Sequence, residues 1–456
     1  MKTIALFFIC ASACALAVEP KPKPETAPEK LSLVDAEAIA LRYAPQISEA
    51  YFKAEASKEV IRQARSGLFP QITGIVTAVG TGPGIENAFG GEHSTTAVTR
   101  IGATGGLNNP SVYNRESNGV LVSQLITDFG RTANLISAAR YQALSQEQKS
   151  RLARAQVVLL VDESYFKALG AQALLRVANQ TVAARQLTVD QVTELTKGKL
   201  KSDLDLSFAK VDLENAKLLV LQAQNAVDEG FADLSAALGY REEHHFTLAE
   251  EPQFAFPGDD IQALIAQALQ YRPEVVALRA ELEGAKKFTA AERAARYPVI
   301  TLQGAVGRTP VGDSAVEGNY EAAGINVEVP IFTGGLLDAR YREAADKAKA
   351  ADKAVEDAED TVVRDVRDVW LDASSALKKI QVSKELQASA SEALDLASSR
   401  YKLGVTSIIE LSQAQLAQTQ AEIGYESAKY EYQIDRVKLE FQTGALKFRT
   451  PGTVFH

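Results

Sequence analysis

Residues 325–335 read Ile325-Asn326-Val327-Glu328-Val329-Pro330-Ile331-Phe332-Thr333-Gly334-Gly335. Ile325, Val327, Val329 and Ile331 alternate with other residues, the two-residue period of a strand with one apolar and one polar face. Beyond the glycine pair the period becomes helical for roughly 67 residues, which at 1.5 Å per residue is a rod of roughly 100 Å. A strand that feeds a rod of this length does not belong to a compact globular domain.

The same order of signals occurs twice in the chain. Tyr43, Pro45, Arg65, Pro70 and Ile72 recur as Tyr271, Pro273, Arg293, Pro298 and Ile300, shifted by 228 (271 − 43). Gly130 and Gly239 recur as Gly335 and Gly444, shifted by 205 (335 − 130). The shift changes between Pro70 and Gly130, so the first copy carries the longer loop, a Gly-rich polar stretch at residues 81–117. A duplication of this length makes the fold two copies of one unit.

Each copy opens on an N-cap residue, Ser32 or Asp260, followed by short helices interrupted at Tyr43-Ala44-Pro45 and Tyr271-Arg272-Pro273. Strands follow, with Phe69, Phe129, Tyr297 and Phe332 at their ends, where a membrane barrel places its aromatic girdle. Along the first rod, Val161, Ser164, Ala168, Ala171, Leu175, Ala178, Val182, Arg185, Val189 and Val192 keep a 3–4 heptad spacing. Adding 205 gives Val366, Val369, Ala373, Ala376, Ile380, Ser383, Gln387, Ala390, Leu394 and Ala397, the same stripe with two polar exceptions. The rods reverse at Lys197-Gly198-Lys199-Leu200-Lys201-Ser202 and Lys402-Leu403-Gly404-Val405-Thr406-Ser407.

The expected organisation is a signal peptide at 1–17, a Pro/Lys/Glu linker at 18–31 and repeat 1 at 32–246. Repeat 1 holds strands near 70–80 and 118–128 and a helical hairpin near 130–239. An inter-repeat linker at 247–258 leads to repeat 2 at 259–446, with strands near 298–307 and 320–332 and a hairpin near 335–444, and a tail at 447–456. Lys2, the apolar residues 4–9 and Ala15-Leu16-Ala17 carry the signal reading. A rival reading makes Cys14, after Ala11-Ser12-Ala13, a lipid-modified N-terminus. Cys10 and Cys14 are the only cysteines, so disulfides and thiolate metal sites are excluded beyond the leader.

A net charge of −9 argues against a nucleic-acid partner. His244-His245 reads as an exposed turn rather than a metal site, Trp370 as a packing residue on a long helix, and Gly102-Ala103-Thr104-Gly105-Gly106 as loop glycine without a phosphate cradle. With His93 and His456 isolated, no catalytic residues, cofactor or metal site emerge and no enzyme is expected. Away from the leader no apolar stretch approaches the roughly 18–20 residues of a spanning helix, so any membrane crossing is made by strands. Two copies supply four strands. An open sheet in lipid leaves unpaired edges, and single-chain barrels start at about eight strands, so several chains must share one barrel. Three would give twelve strands and twelve rods around a lumen. A secreted structural coiled coil, such as a periplasmic spacer or adhesin stalk, is the alternative reading.

The chain resembles the outer membrane efflux (TolC) family. In the first copy the likeness runs through Leu31-Ser32-Leu33, Tyr43-Ala44-Pro45, Leu68-Phe69-Pro70 and Thr127-Asp128-Phe129-Gly130-Arg131. In the second it runs through Arg296-Tyr297-Pro298, Pro330-Ile331-Phe332-Thr333-Gly334-Gly335 and Arg400-Tyr401-Lys402-Leu403-Gly404, leading to Glu410-Leu411. The resemblance implies a mainly α fold with a small membrane β part. It also implies a homotrimer whose twelve-stranded barrel in outer-membrane lipid continues into a twelve-helix barrel across the periplasm. It further implies an exit duct for a tripartite efflux pump or type I secretion system, with a periplasmic adaptor and an inner-membrane pump or ABC transporter as partners. The hairpin turns would form the periplasmic mouth. Asp205 and Glu410 match the family's acidic ring there, and Tyr401 and Gly404 match positions that pack and turn. Thr406 stands where the family often has a locking arginine, and Gln413 where a second acidic residue can occur.

Overall fold

A computed structural model of the chain describes residues 30–79, 115–242, 244–256, 258, 260–308 and 319–445. The leader at 1–17, residues 18–29 of the linker, the glycines at 102–106, His93, His456 and the tail at 447–456 lie outside the described residues. Repeat 1 comprises β1 (Lys30–Leu31), α1 (Leu33–Tyr43), α2 (Pro45–Ser66), β2 (Gln71–Val79), β3 (Arg115–Thr127), α3 (Arg131–Lys197) and α4 (Asp203–Ala237). Repeat 2 comprises β4 (Thr247–Leu248), α5 (Ile261–Tyr271), α6 (Pro273–Ala294), β5 (Val299–Arg308), β6 (Asn319–Glu328), α7 (Leu336–Lys402) and α8 (Ile408–Gln442). The duplication extends to length. α3 and α7 are each 67 residues and α4 and α8 each 35, while the short pairs match at 11 and 22 residues.

The period-2 segments form one antiparallel sheet in the order β2-β3-β5-β6, with a bulge in β3 between Leu125 and Thr127. β6 stops at Glu328, short of the expected 332. Its partner β5 begins opposite it at Val299, and Pro330 has no N–H to extend the ladder. The linkers at each repeat's start are not wholly irregular either. Lys30–Leu31 pairs in parallel with Thr247–Leu248, a contact of two residues per strand.

The long helices stand in a row, α4-α3-α8-α7, with α2 against α3 and α6 against both α3 and α7. The heptad stripe is the seam. Val161, Ala168, Ala178 and Val192 on α3 and Val366, Ala373 and Ala376 on α7 are buried, and their small size lets the rods approach closely. At mid-height a belt formed by α1, β1, β4 and the inter-repeat linker packs against the row. Tyr165 anchors it from α3, its hydroxyl lying 2.7 Å from the Ala249 carbonyl oxygen and 2.9 Å from that of Leu31. From α8, Tyr432 donates to Phe254 O at 2.9 Å, Gln433 to Pro252 O at 3.0 Å and Arg436 to Ala255 O at 2.9 Å. Trp370 packs near Phe256 and donates to Gly258 O at 3.3 Å, so it staples the linker rather than filling a helix seam. His244 is half-buried between Tyr240 and Phe246, where an exposed turn was expected.

Candidate functional site: the sheet and the hairpin tips

Register assigns the faces of the sheet. Ile72 pairs with Val122, Val120 with Val306, Leu302 with Ile325 and Ile300 with Val327, so these side chains share one face. Gln71, Ser123 and Gln303 share the other, as do Thr301 and Asn326, with Ile75, Leu121 and Tyr320 among them, so that face is mixed and the more polar of the two. The apolar face is uncovered: Ile72, Val76, Leu302, Val306, Ile325 and Val327 are all exposed, Val76 at 84%. Phe69, Phe129, Tyr297 and Phe332 are also exposed at the end of the sheet that joins the helices, and Phe129 and Tyr297 touch with ring centroids 5.7 Å apart. An uncovered apolar face edged by aromatics suits lipid, with the more polar face turned to water. Among the described residues no helix is long and apolar enough to cross a membrane.

At the opposite end of the rods both reversals use one design. α3 closes with Lys199 N donating to Thr196 O at 2.9 Å and Leu200 N to Leu195 O at 2.8 Å; α7 closes with Gly404 N to Tyr401 O at 3.0 Å and Val405 N to Arg400 O at 2.9 Å. The closing residue is left-handed in each, Lys199 at φ 58° and Gly404 at φ 74°. Ser202 and Ser407 then cap the returning helices.

Asp205 and Glu410 occupy the third position of those helices, where a carboxylate faces free N–H groups and the positive end of the helix dipole. Asp205 completes a capping box. Its carboxylate accepts from Ser202 N at 3.1 Å, and its own N–H donates to Ser202 Oγ at 3.2 Å. Glu410 is held differently: its carboxylate accepts from the Thr406 hydroxyl and pairs with Arg400 at 3.1 Å. The Thr406 hydroxyl therefore serves the acid within its own turn. The arginine that reaches Glu410 comes from the last turn of α7.

Tyr401 is 5% exposed in a small core with Val189, Val192, Leu213, Ile408 and Leu411 that joins the two hairpins. The Lys201 ammonium lies 4.1 Å from the Tyr401 ring centroid. Burial, with the Asp205 charge second, pushes the Tyr401 hydroxyl above its ordinary pKa, and that hydroxyl has no hydrogen-bond partner among the described residues. The tip thus brings Asp205, Tyr401, Gly404, Thr406 and Glu410 together. Gln413, one turn into α8, is exposed and makes no hydrogen bond to them. Sequence reasoning missed Arg400 and Lys201. Both stand in charged turns, and only the turn geometry shows what they reach.

The family profile described as "Outer membrane efflux protein" matches residues 38–240 and 264–445. "Outer membrane protein OprJ" of Pseudomonas aeruginosa is 26% identical over 315 residues, 68% of this chain and 66% of that protein. "Outer membrane protein TolC" of Salmonella enteritidis is 19% identical over 423 residues, 88% of this chain and 79% of that one. Among solved structures, the outer membrane protein VceC of Vibrio cholerae superposes with a TM-score of 0.75 at 18% identity, covering 90% of this chain and 96% of that one. With both repeats inside the profile and the sheet and hairpins in the same order, the chain belongs to the outer membrane efflux protein family, outer-membrane channels with a long periplasmic helical portion.

Proposed function

We propose that three copies of this chain close into one conduit, the exit duct of a tripartite efflux pump or type I secretion system. The observation that carries this reading is the uncovered apolar sheet with two open edges, continuous with rods that carry further apolar surface. β2 and β6 have no outer neighbour among the described strands. The edge helices expose Leu204, Val211, Leu218 and Leu221 on α4 and Leu371, Val382, Leu386 and Leu396 on α7. Joining β6 of one copy to β2 of the next, and α7 to α4, pairs every edge and covers both stripes in a homotrimer.

In that assembly the hairpin tips form the periplasmic mouth. A periplasmic adaptor docks there, and an inner-membrane pump or ABC transporter supplies the energy. Asp205 and Glu410, threefold repeated, ring the aperture with carboxylates that favour cations. Unheated electrophoresis of membrane-extracted protein should show a species near three times the chain mass, with ion conductance in planar bilayers. A soluble, non-conducting monomer would overturn the reading in favour of a structural stalk. Asp205→Asn with Glu410→Gln should weaken block by divalent cations; unchanged block would remove the ring while leaving the conduit standing.

A further inference from the structure

Where the rods meet the sheet, the charge of the chain changes sign. Residues 60–71, 127–137, 290–300 and 327–342 hold seven arginines and no lysine against four acids, in a chain whose net charge is −9. Two of those acids, Asp128 and Glu292, are buried and engaged. Asp128 accepts from Thr132 N at 2.6 Å, and Glu292 pairs with Arg340 at 3.0 Å. Arg62 pairs with Glu59 at 2.9 Å, and Arg296 pairs with Asp338 at 2.6 Å while lying over the Tyr341 ring. Arg65, Arg131, Arg293 and Arg342 make no ion pair among the described residues. Arg65 and Arg293 are duplicated positions, both exposed, one turn before Phe69 and Tyr297. Arg131 follows Phe129 by two residues.

Helix electrostatics does not account for the set. The C-terminal end of a helix favours a cation, which suits Arg65 and Arg293, but Arg131 opens α3, where the dipole disfavours one. What the three share is height. Each lies within about one helical turn, roughly 5.4 Å, of an exposed aromatic at the edge of the apolar sheet face. Interfacial aromatics sit at headgroup depth, and a headgroup layer is about 5–7 Å thick on each side of the hydrocarbon. The guanidinium groups therefore stand level with the phosphates of the leaflet nearest the rods. Arginine suits that partner better than lysine, because its planar fork holds two phosphate oxygens at once and keeps its charge beside a low-dielectric layer.

We propose that Arg65, Arg131 and Arg293, repeated threefold around the closed barrel, form a collar that binds anionic phospholipid of the phosphatidylglycerol class in the periplasmic leaflet and fixes the depth of the barrel. The proposal rests on the shared barrel of the conduit reading. A lipid satisfies two surfaces at once, its acyl chains against the exposed Ile72 and Val327 at the rod end of the sheet and its phosphate at the arginines. A free anion gains only the second contact. A zwitterionic lipid balances its phosphate with its own amine, whereas an anionic surface attracts each arginine by about fivefold in partitioning.

The test uses the full-length channel in nanodiscs made from an equal mixture of phosphatidylglycerol and phosphatidylcholine, with the lipid retained on the trimer counted by native mass spectrometry. Wild type should retain phosphatidylglycerol over phosphatidylcholine several-fold. Arg65→Gln with Arg293→Gln should bring that ratio towards one and leave single-channel conductance unchanged; Arg131 stays in place because its Nε is buried. Arg65→Lys with Arg293→Lys keeps the charge and loses the fork, so its ratio should fall between the two. Equal retention of both lipids by wild type would overturn the collar, as would an unchanged ratio in the glutamine variant. Inorganic phosphate in excess should not displace the lipid; displacement would assign the arginines to a free anion instead. A glutamine trimer that melts early with its ratio unchanged would place these arginines in subunit pairing. If that variant does not assemble, the wild-type ratio and the lysine variant decide. A wild-type chain that neither assembles nor conducts would overturn the conduit reading itself rather than the collar alone.

Discussion

Replacing Gly404 with alanine should loosen the second hairpin turn, and replacing Lys199 with glycine should tighten the first. Gly404 sits at φ 74°, and a Cβ added there meets nothing within 4 Å, so the penalty is purely that of the backbone. A left-handed L-residue costs about 1–2 kcal/mol. Alanine recovers about 0.4–1 kcal/mol by restricting the unfolded chain. The net cost is about 0.5–1 kcal/mol, or about a two- to fivefold change in local opening. Lys199 already bears the strain at φ 58°, so Lys199→Gly runs the same sum in reverse. Hydrogen–deuterium exchange of peptides spanning each turn measures both, since the Val405 and Leu200 amides are the ones that close the reversals. Exchange should quicken at Val405 in Gly404→Ala and slow at Leu200 in Lys199→Gly. Acceleration in both variants, or in neither, would refute the claim that backbone handedness sets turn stability.

Three further outcomes follow from buried groups. Tyr401→Phe removes a buried hydroxyl that has no partner among the described residues, so the tip should melt at the same temperature or higher; a marked drop would point to a bond that forms only in the assembly. Tyr165→Phe strips the belt of its anchor and leaves the Ala249 carbonyl short of a donor, at a cost of about 1–3 kcal/mol, read as earlier proteolysis between β1 and α1. Burial, the largest cause, raises the pKa of Glu163 and of Asp435, with Lys438 opposing it in both and Asp372 and Glu431 adding to it at Asp435. A carboxyl raised in the fold favours its neutral form, so its stabilising contribution is present at low pH and lost as pH rises through the folded value. Melting should therefore shift upward from neutral to about pH 5, and Glu163→Gln with Asp435→Asn should flatten that slope.

Much of the fold was legible because its signals are periodic. The change from a two-residue to a heptad pattern at Gly335 separates sheet from rod, and the stripe from Val161 to Val192 lies in the seam as its spacing requires. Pairing was less legible. Two residues at Lys30–Leu31 carry no detectable period, and the end of β6 depends on where β5 begins. At the tip the sequence marked Asp205 and Glu410 through the duplication, but Arg400–Glu410 spans a turn whose geometry no local pattern specifies. Arg185 was visible only as an exception in an apolar stripe.

The helical pairs are unequal in length, and this has a mechanical consequence. α3 and α7 run about 100 Å without interruption, whereas α4 and α8 cover only about 52 Å and leave the remaining span to α2 and α6. The splices fall at one height, where Gly239 comes up against Tyr43 and Gly444 against Arg272. Each repeat is thus an unbroken strut beside a jointed one, stiff under axial load and most compliant in flexion at the belt. The small strands and the Tyr165 and Tyr432 anchors gathered there act as the collar around that joint.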